Sequence, residues 1–82
     1  SNKMANEIHE LLASLKDKNE ELTMMLLTFS HDIKTPLTIS NGYIEELEDN
    51  MVSNEKLPFV YSKLKMENDY INELCDNIIS FE

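Results

Sequence analysis

The sequence predicts an all-α fold. Two antiparallel helices form a hairpin, two hairpins make a homodimeric four-helix bundle, and the first helix continues at its N-terminal end as a coiled coil. Three observations predict it. The 82 residues hold one Gly and two Pro, so little interrupts regular structure. Apolar residues recur at alternating steps of four and three along two long runs. One short cluster of turn formers separates those runs.

The chain opens on Ser1-Asn2, which matches the scar left by protease cleavage of a recombinant chain, so residues 1–3 are read as remnant and start of coil. The first run follows Ile8, Leu12, Leu15, Asn19, Leu22, Leu26, Phe29, Ile33, Pro36, Ser40, Tyr43 and Leu47. Most of these are aliphatic or aromatic, which is a heptad seam. It extends from near Met4 to near Asp49, a rod of roughly 70 Å at ~1.5 Å per residue. Asn19 on the seam suits a two-stranded coil, where a buried polar residue fixes register, and equally suits an ordinary helix surface. Residues 4–21 are therefore read as a signalling coiled coil and 22–82 as the bundle domain.

Between Asp49 and Lys56 the chain collects Asn50, Ser53 and Asn54, a turn over about 50–56 in which Ser53 or Asn54 can cap the next helix. The second helix, 57–82, carries Leu57, Val60, Leu64, Glu67, Ile71, Leu74, Ile78 and Phe81, with Glu67 the only polar interruption; Tyr61, Cys75 and Ile79 widen the stripe. Pro58 falls in its first turn, where a missing N–H costs little. The short connection makes the helices antiparallel. Two helices cannot cover both sides of two such stripes, so a second copy completes the core.

Composition narrows the function. Net charge is −9, from 7 basic and 16 acidic side chains, and none of the basic ones is Arg. Most of the acidity lies in residues 42–82. Such a surface has nothing to neutralise phosphates, which argues against nucleic acid and against direct contact with an anionic membrane. Cys75, the one cysteine, cannot form an internal disulfide, and no stretch reaches the ~20 apolar residues of a membrane span. Both point to a cytoplasmic segment.

With Leu26 and Phe29 on the seam, His31 faces directly away from it, on a strip shared with the small residues Thr28, Thr35, Thr38 and Gly42. By itself that describes a solvated histidine as well as a reactive one. His9 has no neighbouring motif and reads as solvated, and Cys75 reads as a small core residue. Glu45, Glu46, Glu48 and Asp49 form an acidic helix end rather than an ion-wrapping loop, and no metal site is expected.

The stretch Phe29-Ser30-His31-Asp32-Ile33-Lys34-Thr35-Pro36-Leu37-Thr38 resembles the H-box of bacterial sensor histidine kinases. The chain from about Leu22 to Phe81 is similar to their dimerisation and histidine-phosphotransfer domain. Members commonly carry Glu, Leu and Arg where this chain has Asp32, Ile33 and Lys34, departures that keep charge and apolarity. The resemblance implies that His31 accepts the γ-phosphoryl group of ATP and passes it to an Asp of a response-regulator receiver domain. It makes Asp32 the general base that also holds the imidazole tautomer, and Thr35, one turn on, the residue that positions water for dephosphorylating the regulator. A mid-helix Thr bonding its own backbone is the plainer account of Thr35. Pro36 removes an N–H and crowds the Asp32 carbonyl, a bend that is either static or a switch.

ATP and Mg²⁺ are then held by a separate Gly-rich domain, so this segment binds no cofactor and cannot phosphorylate itself. The implied partners are a second copy, the kinase's own ATP-binding domain and a receiver domain, and the implied setting is the cytoplasmic side of a membrane-bound sensor. Two other readings stand beside this one. A histidine-containing phosphotransfer domain of a phosphorelay also exposes a His with a Lys three residues on, as His31 and Lys34 are spaced, but builds its bundle from about four helices of one chain. A non-enzymatic coiled-coil adaptor needs only the seam.

Overall fold

The structure is a computed structural model that describes residues 1–80, Ser80 by its backbone alone. Two helices account for nearly all of it, α1 (Asn2–Glu48) and α2 (Leu57–Ser80). Phe81, expected at the end of the second stripe, lies outside the described residues, as does Glu82.

Helix α1 begins earlier than the seam alone suggested, because Ser1 supplies its cap: the Met4 N–H donates to Ser1 Oγ at 3.3 Å. It then runs unbroken through Pro36 for 47 residues, and the whole molecule measures 76 × 21 × 12 Å. The Cα radius of gyration is 21.7 Å, against about 12 Å for a compact chain of this length. The rod inferred from the heptads is therefore the long axis of the molecule.

The end of α1 is set by Asn50, which takes φ 54°, the left-handed conformation in which Asn is one of the few tolerated side chains. That reversal lets the Met51 N–H reach the Glu46 carbonyl at 2.9 Å and the Asn50 N–H reach the Leu47 carbonyl at 3.2 Å. These two bonds satisfy carbonyls that the last helical turn leaves open. At the far side of the turn, the Ser53 carbonyl accepts from both Lys56 and Leu57 N–H, at 3.0 and 3.1 Å. Ser53 thus starts the second helix through its backbone; neither its hydroxyl nor the Asn54 side chain forms the cap that the sequence suggested.

The seam of the C-terminal half of α1 meets the stripe of α2. Val60 and Pro36 are fully buried between the helices, and Phe29, Ile33, Tyr43, Leu47, Leu64, Ile71, Leu74 and Ile78 are half-buried. Tyr43 and Phe59 lock the register near the turn by an edge-to-face contact, ring centroids 6.4 Å apart, while Lys63 Nζ sits 5.6 Å over the Phe59 ring. The antiparallel hairpin follows from the short turn, and its register from these apolar pairs.

The core is nevertheless thin. A compact folded monomer of this mass exposes about 5,000 Å²; this chain exposes 6969 Å². The N-terminal half of the seam is open throughout, with Ile8, Leu12, Leu15 and Leu22 all at least half exposed. No helix among the described residues is long and apolar enough to cross a membrane.

Candidate functional site

Helix α1 carries the site because its seam must face α2. Rotating Ile33 and Pro36 onto the seam turns His31 to the opposite side, where its side chain is 86% exposed. No other element covers it. Thr28, Thr35, Thr38 and Gly42 share the strip and are exposed too. A methyl group added at Gly42 would meet no atom within 4 Å, so the strip is uncovered at that end as well.

Asp32 is the next residue and lies 100° around the helix, at the edge of the α1–α2 interface. Its Oδ1 accepts from His31 Nδ1–H at 3.0 Å. The geometry has a chemical consequence. With the proton on Nδ1, a neutral imidazole presents Nε2 as an unprotonated, outward nitrogen. Both partners are accessible to water, so the bond contributes little to stability; its effect is to choose the tautomer and hold the ring.

Thr35 stands one turn further and makes no hydrogen bond to His31 among the described residues. It lines, with Asp32, Pro36 and Ile39, a groove of about 420 Å³ whose other wall is Met66, Glu67 and Tyr70 of α2. Of the three residues singled out from the sequence, the structure joins Asp32 to His31 and sets Asp32 and Thr35 in one groove. His31 itself stands outside that groove, in open solvent.

The α2 wall was not foreseen. Glu67 was visible as the one polar residue on its stripe, and the structure shows where it goes: half-buried opposite Pro36, lining the groove, without a hydrogen bond or ion pair to any described residue. Tyr70 had no comparable signal. A second, larger groove of about 890 Å³ lies on the other side of Asp32, toward the N-terminal end of α1, between Met25, Leu26 and Phe29 of α1 and Leu74 and Ile78 of α2.

Among the described residues no group of three or more His, Cys, Asp or Glu is placed to hold a metal ion. His9 is exposed, Cys75 is a half-buried free thiol, and of the acidic group ending α1 only Glu46 is half-buried.

No family model matches the chain, and no solved structure matches it. Curated proteins do. The chain is 35% identical over 54 residues to the histidine protein kinase SaeS of Staphylococcus aureus, in strains USA300, NCTC 8325 / PS 47 and Newman among others. The match takes in 66% of this chain and 15% of each relative, so the chain spans about a seventh of their length. This is partial homology to a histidine kinase, and the elongated two-helix fold is consistent with the dimerisation and histidine-phosphotransfer domain that the H-box implies.

Proposed function

We propose that the chain is the phosphoacceptor and dimerisation segment of a sensor histidine kinase. The observation that carries the reading is the His31 Nδ1–H to Asp32 carboxylate bond at 3.0 Å, on a face with nothing over it. His31 Nε2 attacks the γ-phosphorus of ATP; a P–N bond forms as the P–O bond to ADP breaks. Positive charge grows on the ring during the attack. Asp32, hydrogen-bonded to Nδ1–H, stabilises that charge and takes up the proton. In the second step the P–N bond breaks and the phosphoryl group passes to a carboxylate oxygen of a receiver domain. Thr35, beside the same approach, positions a water that attacks the aspartyl phosphate and releases inorganic phosphate.

ATP and Mg²⁺ belong to a separate ATP-binding domain in this reading, which makes the segment alone inactive. The coil at residues 4–21 brings the signal from upstream, the chain lies on the cytoplasmic side of a membrane-bound sensor, and the bundle is completed by a second copy. The open coil seam and the area left exposed by the hairpin support that pairing.

The test is labelling in trans. With radiolabelled ATP and the kinase's own ATP-binding domain, the segment gains acid-labile, base-stable phosphate. His31→Gln abolishes it and His9→Gln does not. Label that persists in the His31 variant refutes the assignment.

A further inference from the structure

Nine asparagines are spread along the chain, and one of them, Asn41, is followed by its single glycine, Gly42. Both are exposed on α1, and the space where Gly42 would carry a Cβ is empty. The pair has a chemistry of its own. The backbone nitrogen of the residue after an asparagine can attack the side-chain amide carbon and close a five-membered ring. A Cβ on that residue crowds the nitrogen, and glycine alone has none.

While α1 is helical the ring cannot close. The Gly42 N–H belongs to the hydrogen-bond ladder of the helix, and closure needs a rotation about the Asn41 Cα–C bond out of the helical region. What holds the helix here is the next residue, Tyr43, through its edge-to-face contact with Phe59. Without that clasp little else would. Pro36 donates no hydrogen bond to the carbonyl one turn before it, and the end of α1 sets Glu45, Glu46, Glu48 and Asp49 at the negative end of the helix dipole, with no basic residue in the last turn.

We propose that Asn41-Gly42 is a modification site, closed while α1 is helical and released when the stretch between Pro36 and the turn unwinds. The Gly42 nitrogen bonds to Asn41 Cγ, the bond from Cγ to the amide nitrogen breaks, and ammonia leaves with the proton that the Gly42 nitrogen gave up. Water then opens the ring. Cleavage at Cγ gives aspartate; cleavage at the former backbone carbonyl gives isoaspartate, in which the main chain runs through Cγ. One water enters, one ammonia leaves, and nothing is oxidised or reduced. Either product adds a negative charge one turn before Glu45. Isoaspartate also adds a carbon to the backbone, so Tyr43 and Leu47 lose the helical phase that places them on one seam with Ile33 and Pro36. The aromatic clasp is then cut off from the half of α1 that carries His31, and loss of ammonia makes the change one-way.

The proposal is independent of the chemistry of His31, and its test needs no ATP. The 82-residue chain is held at mildly alkaline pH, folded and in guanidinium, and peptide mass spectrometry follows each asparagine. In guanidinium, Asn41 should convert at least tenfold faster than the other eight, and Gly42→Ala should remove that lead. In the folded chain Asn41 should convert at least tenfold more slowly than in guanidinium, and Phe59→Ala should return most of the lost rate. Earlier conversion at another asparagine, equal folded and unfolded rates, or an unchanged rate in Phe59→Ala overturns the proposal. Should Phe59→Ala unfold, the unaltered chain decides. Across guanidinium concentrations below the unfolding transition, conversion at Asn41 should rise in parallel with amide exchange at Gly42; a conversion rate that does not follow that exchange overturns the gating by α1.

Discussion

Replacing Gly42 by Ala should stabilise the protein, although Gly42 shares the exposed strip of the candidate site residue His31. Gly42 sits inside α1, two turns before its end, with helical, negative φ, so it uses none of the backbone freedom that glycine provides. It pays for that freedom in the unfolded chain, by about 0.5–1 kcal/mol relative to Ala. The usual offset is a close neighbour that leaves no room for Cβ; here a Cβ meets nothing within 4 Å. Gly42 is also on the His31 strip, away from α2. The gain should therefore appear in full, raising the midpoint of a thermal melt by roughly 2–8 °C for a domain of this size. Circular dichroism at 222 nm measures it, with protomer concentration held fixed because association shifts the midpoint. An unchanged or lowered midpoint would mean that another chain presses on this strip, and would refute the uncovered strip.

Three further outcomes follow from the geometry. Asn50→Ala puts a less tolerant side chain at φ 54°, and should cost about 1 kcal/mol in urea unfolding, while Asn50→Gly should cost nothing. Asp32→Asn keeps an oxygen for the Nδ1–H bond and removes the charge, so autophosphorylation by the complete kinase should fall about 100-fold with the secondary structure unchanged; a fall below threefold sinks the base assignment. Thr35→Ala removes a hydroxyl that makes no bond to His31, and should lengthen the lifetime of the regulator's phosphate at least tenfold while leaving His31 labelling within about twofold. The reverse pattern would show that Thr35 serves the imidazole instead.

The helices were legible because their signal is periodic. Alternating steps of four and three from Ile8 to Leu47 specify one face, and a face is all that a two-helix packing needs. The turn was legible as composition but not as mechanism: Asn50 in the left-handed region follows from its side chain, whereas Ser53 working through its carbonyl does not show in a residue name. His31 and Asp32 are neighbours in sequence, so their bond required no tertiary information beyond a rotamer. The groove is different. Glu67 and Tyr70 share a groove with Thr35 only through the register of α2 against α1, and that register depends on contacts such as Tyr43 with Phe59, which no local pattern encodes.

That register also orders the hairpin in time. Tyr43 and Phe59 close a loop of only sixteen residues, Pro36 and Glu67 one of about thirty, and Phe29 and Leu74 one of forty-five. Each closure is cheapest once the one nearer the turn has formed, so the chain zips from Asn50 outward and frays from the opposite end. The Asp32–Thr35 groove lies partway along this ladder. A pull on the N-terminal half of α1 should act first on the rungs farthest from the turn, at Met25 and Ile78, and reach the groove before it reaches the aromatic clasp at Tyr43. Amide exchange should accordingly slow step by step from Ile78 to Val60, with Tyr70 between them.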